Sequence, residues 1–187
     1  RIAELAGDIN EYYGVQNELT IVCVLKGAVM FFCELAKYLK MPVRMEFVSL
    51  SRYGDAQKSS GKVSALNLSL PPLEDKNVLV VEDTLVTGLT LNFLLDFIRS
   101  KCKARDVKLA VMFDKKCARK YPVKPDFSAY DVGDKFIVGF GLDYCELQRN
   151  LPYIGYYEYT KNLETITAQI MPTRSHKIPF KTVFLKF

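Results

Sequence analysis

Residues Asn77–Val81 (NVLVV) run apolar with no polar alternation. A strand of that kind must be covered on both faces, which is the situation of a central strand in a parallel sheet flanked by helices. Leu19–Leu25 (LTIVCVL) has the same character and is broken by Gly27. Two such runs suit the buried strands of a helix-covered sheet, as in α/β architectures. The remaining pattern agrees. Ile2, Leu5, Ile9 and Tyr12–Tyr13 recur at helical spacing and predict an opening amphipathic helix that stops near Gly14. Ala28–Leu39 reads as a helix and Val43–Leu50 as a strand, with a helix at Leu91–Arg99 and further apolar strands at Val107–Phe113 and Phe136–Phe140. Strands alternating with helices predict a mainly parallel sheet covered on both sides.

At 187 residues and 49% hydrophobic, the chain is long enough for one domain with a substantial core. Average apolar content and 25% charged residues exclude disorder, and no glycine period or cysteine density suggests a collagen or a disulfide scaffold. The net charge is +5, and the segment Lys161–Phe187 contributes four of those charges, from five basic residues and one acidic one. A nearly neutral body does not indicate a nucleic-acid groove; a role in RNA binding rests only on Arg174, Lys177, Lys181 and Lys186 in that tail. The longest apolar stretch, Ile21–Ala36, contains Lys26 and Glu34 and is too short to span a membrane. Cys23, Cys33, Cys102, Cys117 and Cys145 are odd in number and lack CxxC spacing. They are expected to be reduced thiols filling the core of a cytoplasmic protein. No signal peptide precedes Arg1, and the lack of an initiator Met implies a start inside a longer or processed chain.

Two segments break the periodicity. Ser51–Lys62 (SRYGDAQKSSGK) is polar and twice interrupted by glycine, as expected of a mobile loop that covers a site. From Thr160 the pattern fades, and Pro172 and Pro179 interrupt it. The expected division is therefore a domain at residues 1–157 and an extension of uncertain structure at 158–187.

The apolar strand at Asn77 runs into Glu82-Asp83 and then Thr87-Gly88-Leu89-Thr90 at a helix start. Carboxylates at a strand end accept from sugar hydroxyls, while free amides, threonine hydroxyls and the helix dipole attract a phosphate, so the arrangement suits a ribose phosphate. The same spacing also fits a solvated strand end followed by an ordinary capping turn. There is no Walker lysine, Gly139-Phe140-Gly141 lacks the third glycine of a dinucleotide loop, and the single His176 cannot build a histidine metal site or a triad.

The segment VLVVEDTLVTGLTL resembles the phosphoribosyl-diphosphate-binding motif of type I phosphoribosyltransferases, and in detail that of the hypoxanthine-guanine phosphoribosyltransferases. The similarity extends over most of residues 1–157. It implies the fold of that family, a mainly parallel sheet flanked by helices with a small hood. It implies transfer of phosphoribosyl from phosphoribosyl diphosphate to hypoxanthine or guanine with Mg²⁺, giving IMP or GMP and pyrophosphate, by a homodimer or homotetramer. By the same resemblance, Glu82, Asp83, Thr84, Leu85, Thr87, Gly88, Leu89 and Thr90 bind ribose and 5′-phosphate. Leu25-Lys26-Gly27 is similar to the turn that holds pyrophosphate through backbone amides, with an unusual cis peptide before the lysine. Arg52 and Tyr53 fall in the segment similar to the family's lid, Arg52 replacing the usual serine. Lys115 matches the lysine that reads the purine oxygen, Phe136 the stacking aromatic, and Ile137 the residue whose backbone reads the base edge. Asp143 is implied near magnesium and the purine, with Glu82 and Asp83 as further metal carboxylates, and Arg149 on pyrophosphate.

One departure bears on the chemistry. Family members have the pattern E-D-x-x-D-T/S-G, and this chain carries Val86 where the second aspartate, understood as the general base, is expected. Valine can neither take a proton nor stabilise a cation, so a rate lower by about 10²- to 10⁴-fold is expected. The alternative is a non-catalytic purine-nucleotide-binding homologue, acting as a sensor or as the partner of an active subunit.

Overall fold

The computed structural model describes residues 1–50, 70–160 and 163–167, with side chains described as far as Tyr156. Its elements are α1 (Ile2–Tyr13), β1 (Leu19–Leu25), α2 (Val29–Ala36), β2 (Val43–Ser49), β3 (Asn77–Leu85), α3 (Leu89–Ser100), β4 (Asp106–Asp114), a 3-10 turn (Lys116–Ala118), β5 (Phe127–Asp131), β6 (Ile137–Val138), β7 (Gly155–Thr160) and β8 (Leu163–Thr167).

The five-stranded sheet has the order β2-β1-β3-β4-β5 and is parallel throughout. Alternation along each strand sorts the core into two layers, because successive side chains point to opposite faces. Leu19, Ile21 and Cys23 of β1 and Leu79 and Val81 of β3 pack with Leu5, Ile9, Phe31, Phe32 and Leu35 of α1 and α2. Val22, Val24, Val78 and Val80 face the other way, onto Leu91, Leu94, Leu95 and Ile98 of α3. The α2 crossover therefore covers one face and the α3 crossover the opposite one. Burying each of the larger side chains contributes about 1.5–3 kcal/mol, and the double cover explains why the central strands carry no polar alternation.

The chain leaves β1 toward β2 in one direction and β3 toward β4 in the other, so the topological switch lies between β1 and β3. In open parallel sheets ligands bind in the crevice beyond the strand C-termini at such a switch. Here the flanking C-termini are Leu25 and Leu85.

A second, antiparallel sheet of order β6-β7-β8 forms the small hood. The expected strand at Phe136–Phe140 is shortened to Ile137–Val138 and lies in this hood, outside the parallel sheet. Gly139, Phe140 and Gly141 all have positive φ (88°, 48° and 100°), so extended structure cannot continue past Val138. The strand that completes the parallel sheet is β5, which the apolar pattern missed because Ser128 interrupts a short run bounded by Asp126 and Asp131. β7 crosses position 157, and the hood pairing of its backbone with β8 extends to Thr167. The cysteine expectation is also corrected. Only Cys23 is buried; Cys33, Cys117 and Cys145 are exposed and Cys102 is intermediate, and all five are free thiols. Cys33 lies on the outer face of α2, whereas Cys117 and Cys145 lie in surface turns, so apolar neighbours in the sequence did not imply burial. No helix among the described residues is long and apolar enough to cross a membrane.

Candidate active site

β1 ends in a turn whose Leu25–Lys26 peptide is cis, as the sequence resemblance implies. The next residue lies against two other parts of the chain. A Cβ at Gly27 would lie 1.5 Å from a carboxylate oxygen of Asp83, and a Cβ at Gly141 would lie 2.1 Å from the carbonyl oxygen of Gly27. Glycine at both positions lets the β1 turn, the end of β3 and the loop after β6 converge at one point. Glu82 and Asp83 are half-buried there, and the Glu82 carboxylate accepts from the Asp83 amide at 3.1 Å.

The loop after β6 carries Asp143, Glu146 and Arg149. Arg149 donates to the Gly141 carbonyl at 2.9 Å and pairs with Asp143 at 2.8 Å; it also reaches Glu146 at 3.4 Å. Lys26 pairs with the same Glu146 at 2.9 Å. These two cations, Lys26 first, hold the Glu146 carboxyl below the usual carboxylate range. The Nε of Arg149 is buried and, among the described residues, has no acceptor. A guanidinium with one unused buried donor, next to an exposed ammonium, forms a cradle suited to a diphosphate.

The other half of the site is the loop from Leu85 to Leu89. α3 starts at Leu89, two residues earlier than the sequence pattern predicts, so Gly88 in the left-handed region (φ 85°) is its N-cap, and the Thr87 hydroxyl accepts from the Leu89 amide at 3.4 Å. Thr87, Gly88, Leu89 and Thr90 thus surround the N-terminus of a 12-residue helix, where partial positive charge favours a phosphate. Val86 is half-buried in this loop.

One residue that sequence reasoning passed over braces this loop. Arg119 donates to the carbonyls of Val86 at 3.0 Å and Leu85 at 3.2 Å, and also to the Val123 carbonyl and the buried Asp114 carboxylate. The amides of Lys120 and Tyr121 both donate to the Thr87 carbonyl at 3.0 Å. In the sequence Arg119 is one of several basic residues after β4; nothing local marks it as the one that reaches back to this loop. The cleft of about 440 Å³ beside it, lined by Asp114, Lys116, Arg119 and Tyr121 among others, contains none of the sequence-predicted site residues.

Lys115 follows β4, where its amide donates to the Leu85 carbonyl at 3.0 Å, so it is tied by backbone to the end of β3. Phe136 is 44% exposed, which removes it from the core, and its ring meets the Tyr144 ring edge-on at 5.8 Å. Ile137 begins β6, and Thr84 has a buried hydroxyl without a partner among the described residues. Arg52, Tyr53 and the rest of Ser51–Lys62 lie outside the described residues.

Among the described residues no group of three or more His, Cys, Asp or Glu is placed to hold a metal unaided. Mg²⁺ commonly keeps waters and takes one or two carboxylates plus substrate phosphates. Glu82, Asp83 and Asp143, on elements that meet at Gly27, are a hard-oxygen donor set that fits such shared coordination. Cys23 lies beneath them in β1. Burial, and then the charges of Glu82 and Asp83, push its thiol up to about 12.

The phosphoribosyl transferase domain model matches residues 1–145. A hypoxanthine-guanine phosphoribosyltransferase of Streptococcus thermophilus is 43% identical over 152 residues, covering 81% of this chain and 83% of the relative. That of Bacillus subtilis is 38% identical over 155 residues, covering 83% and 85%. A crystal structure of a hypoxanthine-guanine phosphoribosyltransferase from Bacillus anthracis superposes with a TM-score of 0.75 at 36% identity, covering 82% of this chain and 89% of that one. The five-stranded parallel sheet and these relatives lead to one conclusion: the chain belongs to the phosphoribosyltransferases of purine salvage, of the hypoxanthine-guanine type.

Proposed function

We propose that the chain transfers phosphoribosyl from phosphoribosyl diphosphate to hypoxanthine or guanine, giving IMP or GMP and pyrophosphate, with Mg²⁺ and at a rate lowered by Val86. The observation that carries this reading is the meeting of Gly27, Asp83 and Gly141, which brings the candidate pyrophosphate, ribose and base-side elements within contact distance. A ring nitrogen of the base forms a bond to the anomeric carbon, the bond from that carbon to the diphosphate oxygen breaks, and the electron pair leaves with pyrophosphate. The ring proton of the base goes to solvent.

In this assignment Glu82 and Asp83 accept from the ribose hydroxyls, and their charge stabilises the cationic character that develops on the sugar. Thr84, Leu85 and Thr87 to Thr90 seat the 5′-phosphate at the start of α3. Leu25, Lys26, Gly27 and Arg149 hold the diphosphate, and Arg52 and Tyr53 are assigned to it by the family resemblance alone. Lys115 donates to the purine oxygen, Phe136 stacks on the ring, and the Ile137 backbone and Asp143 border it. Glu82, Asp83 and Asp143 would hold magnesium, which when bound neutralises charge on the leaving group. Val86 occupies the position of the base and offers no proton acceptor, so catalysis rests on orientation and charge. A homodimer or homotetramer in the cytoplasm completes the reading; the free thiols are consistent with a reducing compartment.

The test is nucleotide formation from guanine and hypoxanthine by the chain and its Val86→Asp variant. The expected result is slow turnover that the aspartate raises by about 10²-fold or more. Binding of GMP without turnover by either chain would overturn the enzymatic reading in favour of a nucleotide-binding homologue.

A further inference from the structure

Glu146 places each of its carboxylate oxygens on a different cation: Oε2 lies 2.9 Å from Lys26 Nζ, and Oε1 lies 3.4 Å from a terminal nitrogen of Arg149. The two cations come from distant parts of the chain, the turn after β1 and the loop after β6. The turn that carries Glu146 is closed by reciprocal bonds between Tyr144 and Leu147 of 3.0 and 3.1 Å. Cys145 and Glu146 adopt positive φ (50° and 65°) within it. A glutamate is uncommon in that region, and this one is kept there by an Asp143 carboxylate that accepts from its amide at 2.9 Å.

We propose that Glu146 is an internal anion that occupies the diphosphate cradle in the free site and is displaced when the diphosphate binds. The inference rests on reading Lys26 and Arg149 as the cradle's cations. Exchange is easy, because both members of the Lys26–Glu146 pair are about two-thirds exposed (68% and 67%) and such pairs are weak. A diphosphate brings more charge than one carboxylate and more oxygens than Glu146 can offer.

Glu146 could in principle help binding by holding the cations in place, or oppose it by competing for them. The geometry decides for competition. Arg149 is held independently by the Gly141 carbonyl and by Asp143, at 2.9 and 2.8 Å, so it keeps its place without Glu146. Lys26 has its backbone fixed in the turn after β1, and only its exposed side chain is released. Removing the carboxylate therefore leaves the cradle standing, frees the Lys26 ammonium and takes one of two competing carboxylates from Arg149.

Titration calorimetry with inorganic pyrophosphate and Mg²⁺, on the full chain, tests this with four proteins: wild type, Glu146→Gln, Arg149→Gln and Glu74→Gln. Glu74 pairs with Lys103 on the surface at 3.5 Å, and its variant controls for net charge. The expected result is pyrophosphate binding tightened by about 2- to 10-fold in Glu146→Gln, unchanged in Glu74→Gln and lost in Arg149→Gln. Unchanged or weaker binding in Glu146→Gln, with loss in Arg149→Gln, overturns the displacement and leaves the cradle intact. Equal tightening in Glu74→Gln overturns it as a general charge effect. Unaltered binding in Arg149→Gln overturns the cradle itself, and the displacement with it.

Discussion

Replacing Arg119 with methionine measures what the brace on the phosphate loop is worth. Side-chain exposure is 16% for Arg119 and 4% for Asp114, so their pair is largely out of water. Methionine keeps an aliphatic stem but removes the charge. It strands the Asp114 carboxylate and takes a donor from the carbonyls of Leu85, Val86 and Val123. Breaking a buried pair from one side costs about 3–5 kcal/mol, because the remaining charge stays buried without compensation. With a urea m-value of about 2 kcal/mol/M for a chain of this size, the unfolding midpoint should fall by roughly 1.5–2.5 M. Domains are commonly stable by about 5–15 kcal/mol, so the variant can be measured folded wherever the wild type exceeds about 7 kcal/mol. Combining Arg119→Met with Asp114→Leu leaves no stranded charge and should recover about half of the loss or more. A midpoint shift below about 0.5 M for the single variant, or a double variant no more stable than the single one, would refute the buried-pair argument.

Two further perturbations have signs that follow from the geometry. The Cys23 thiol, pushed up to about 12 from 9.0, stays neutral in the folded chain while the unfolded chain ionises, so its contribution is intact below pH 9 and is lost as pH rises toward 12. Unfolding free energies from urea titrations at pH 8 to 11 should fall above pH 9 by at most about 1.4 kcal/mol per pH unit from this group, and Cys23→Ala should show a shallower slope; an equal slope contradicts the assignment. Glycine-to-alanine changes should have opposite effects at two sites. Gly7, in α1, has nothing within 4 Å of an added Cβ and should gain about 0.5–1 kcal/mol, whereas at Gly141 the Cβ meets the Gly27 carbonyl at 2.1 Å and the melting temperature should drop. A stabilised Gly141→Ala would mean that the two loops are not in contact.

The parallel sheet was legible in the sequence because NVLVV and LTIVCVL can be satisfied only by cover on both faces, and β1 and β3 indeed carry one core on each side. The hood came only with the family resemblance; the apolar pattern misplaced its strand, because what ends β6 is a run of positive φ through Gly139, Phe140 and Gly141, and Phe140 gives no sign of it in its residue type. In the site, Glu82, Asp83 and the loop to Thr90 stood out by chemistry, whereas Lys115 and Phe136 drew their meaning from the family pattern. Arg119 and Glu146 were invisible for one shared reason. Their roles depend on partners far along the chain, Glu146 on Lys26 and Arg119 on the strand-end carbonyls of β3. No local spacing encodes those meetings.

The separation of the hood from the parallel sheet has a consequence for how such a protein can diversify. In the proposed assignment the sugar and phosphate groups are handled at the ends of β1 and β3, while Phe136, Ile137 and Asp143 lie on β6 and its flanks. The two units also meet through the backbone contact of Gly141 with Gly27, and substitutions at Phe136, Ile137 or Asp143 add no atom at either glycine. A lineage can therefore adjust how the base is stacked and bordered by changing hood residues one at a time, while Lys115 and the sugar-phosphate half, both carried by the parallel sheet, are inherited unchanged.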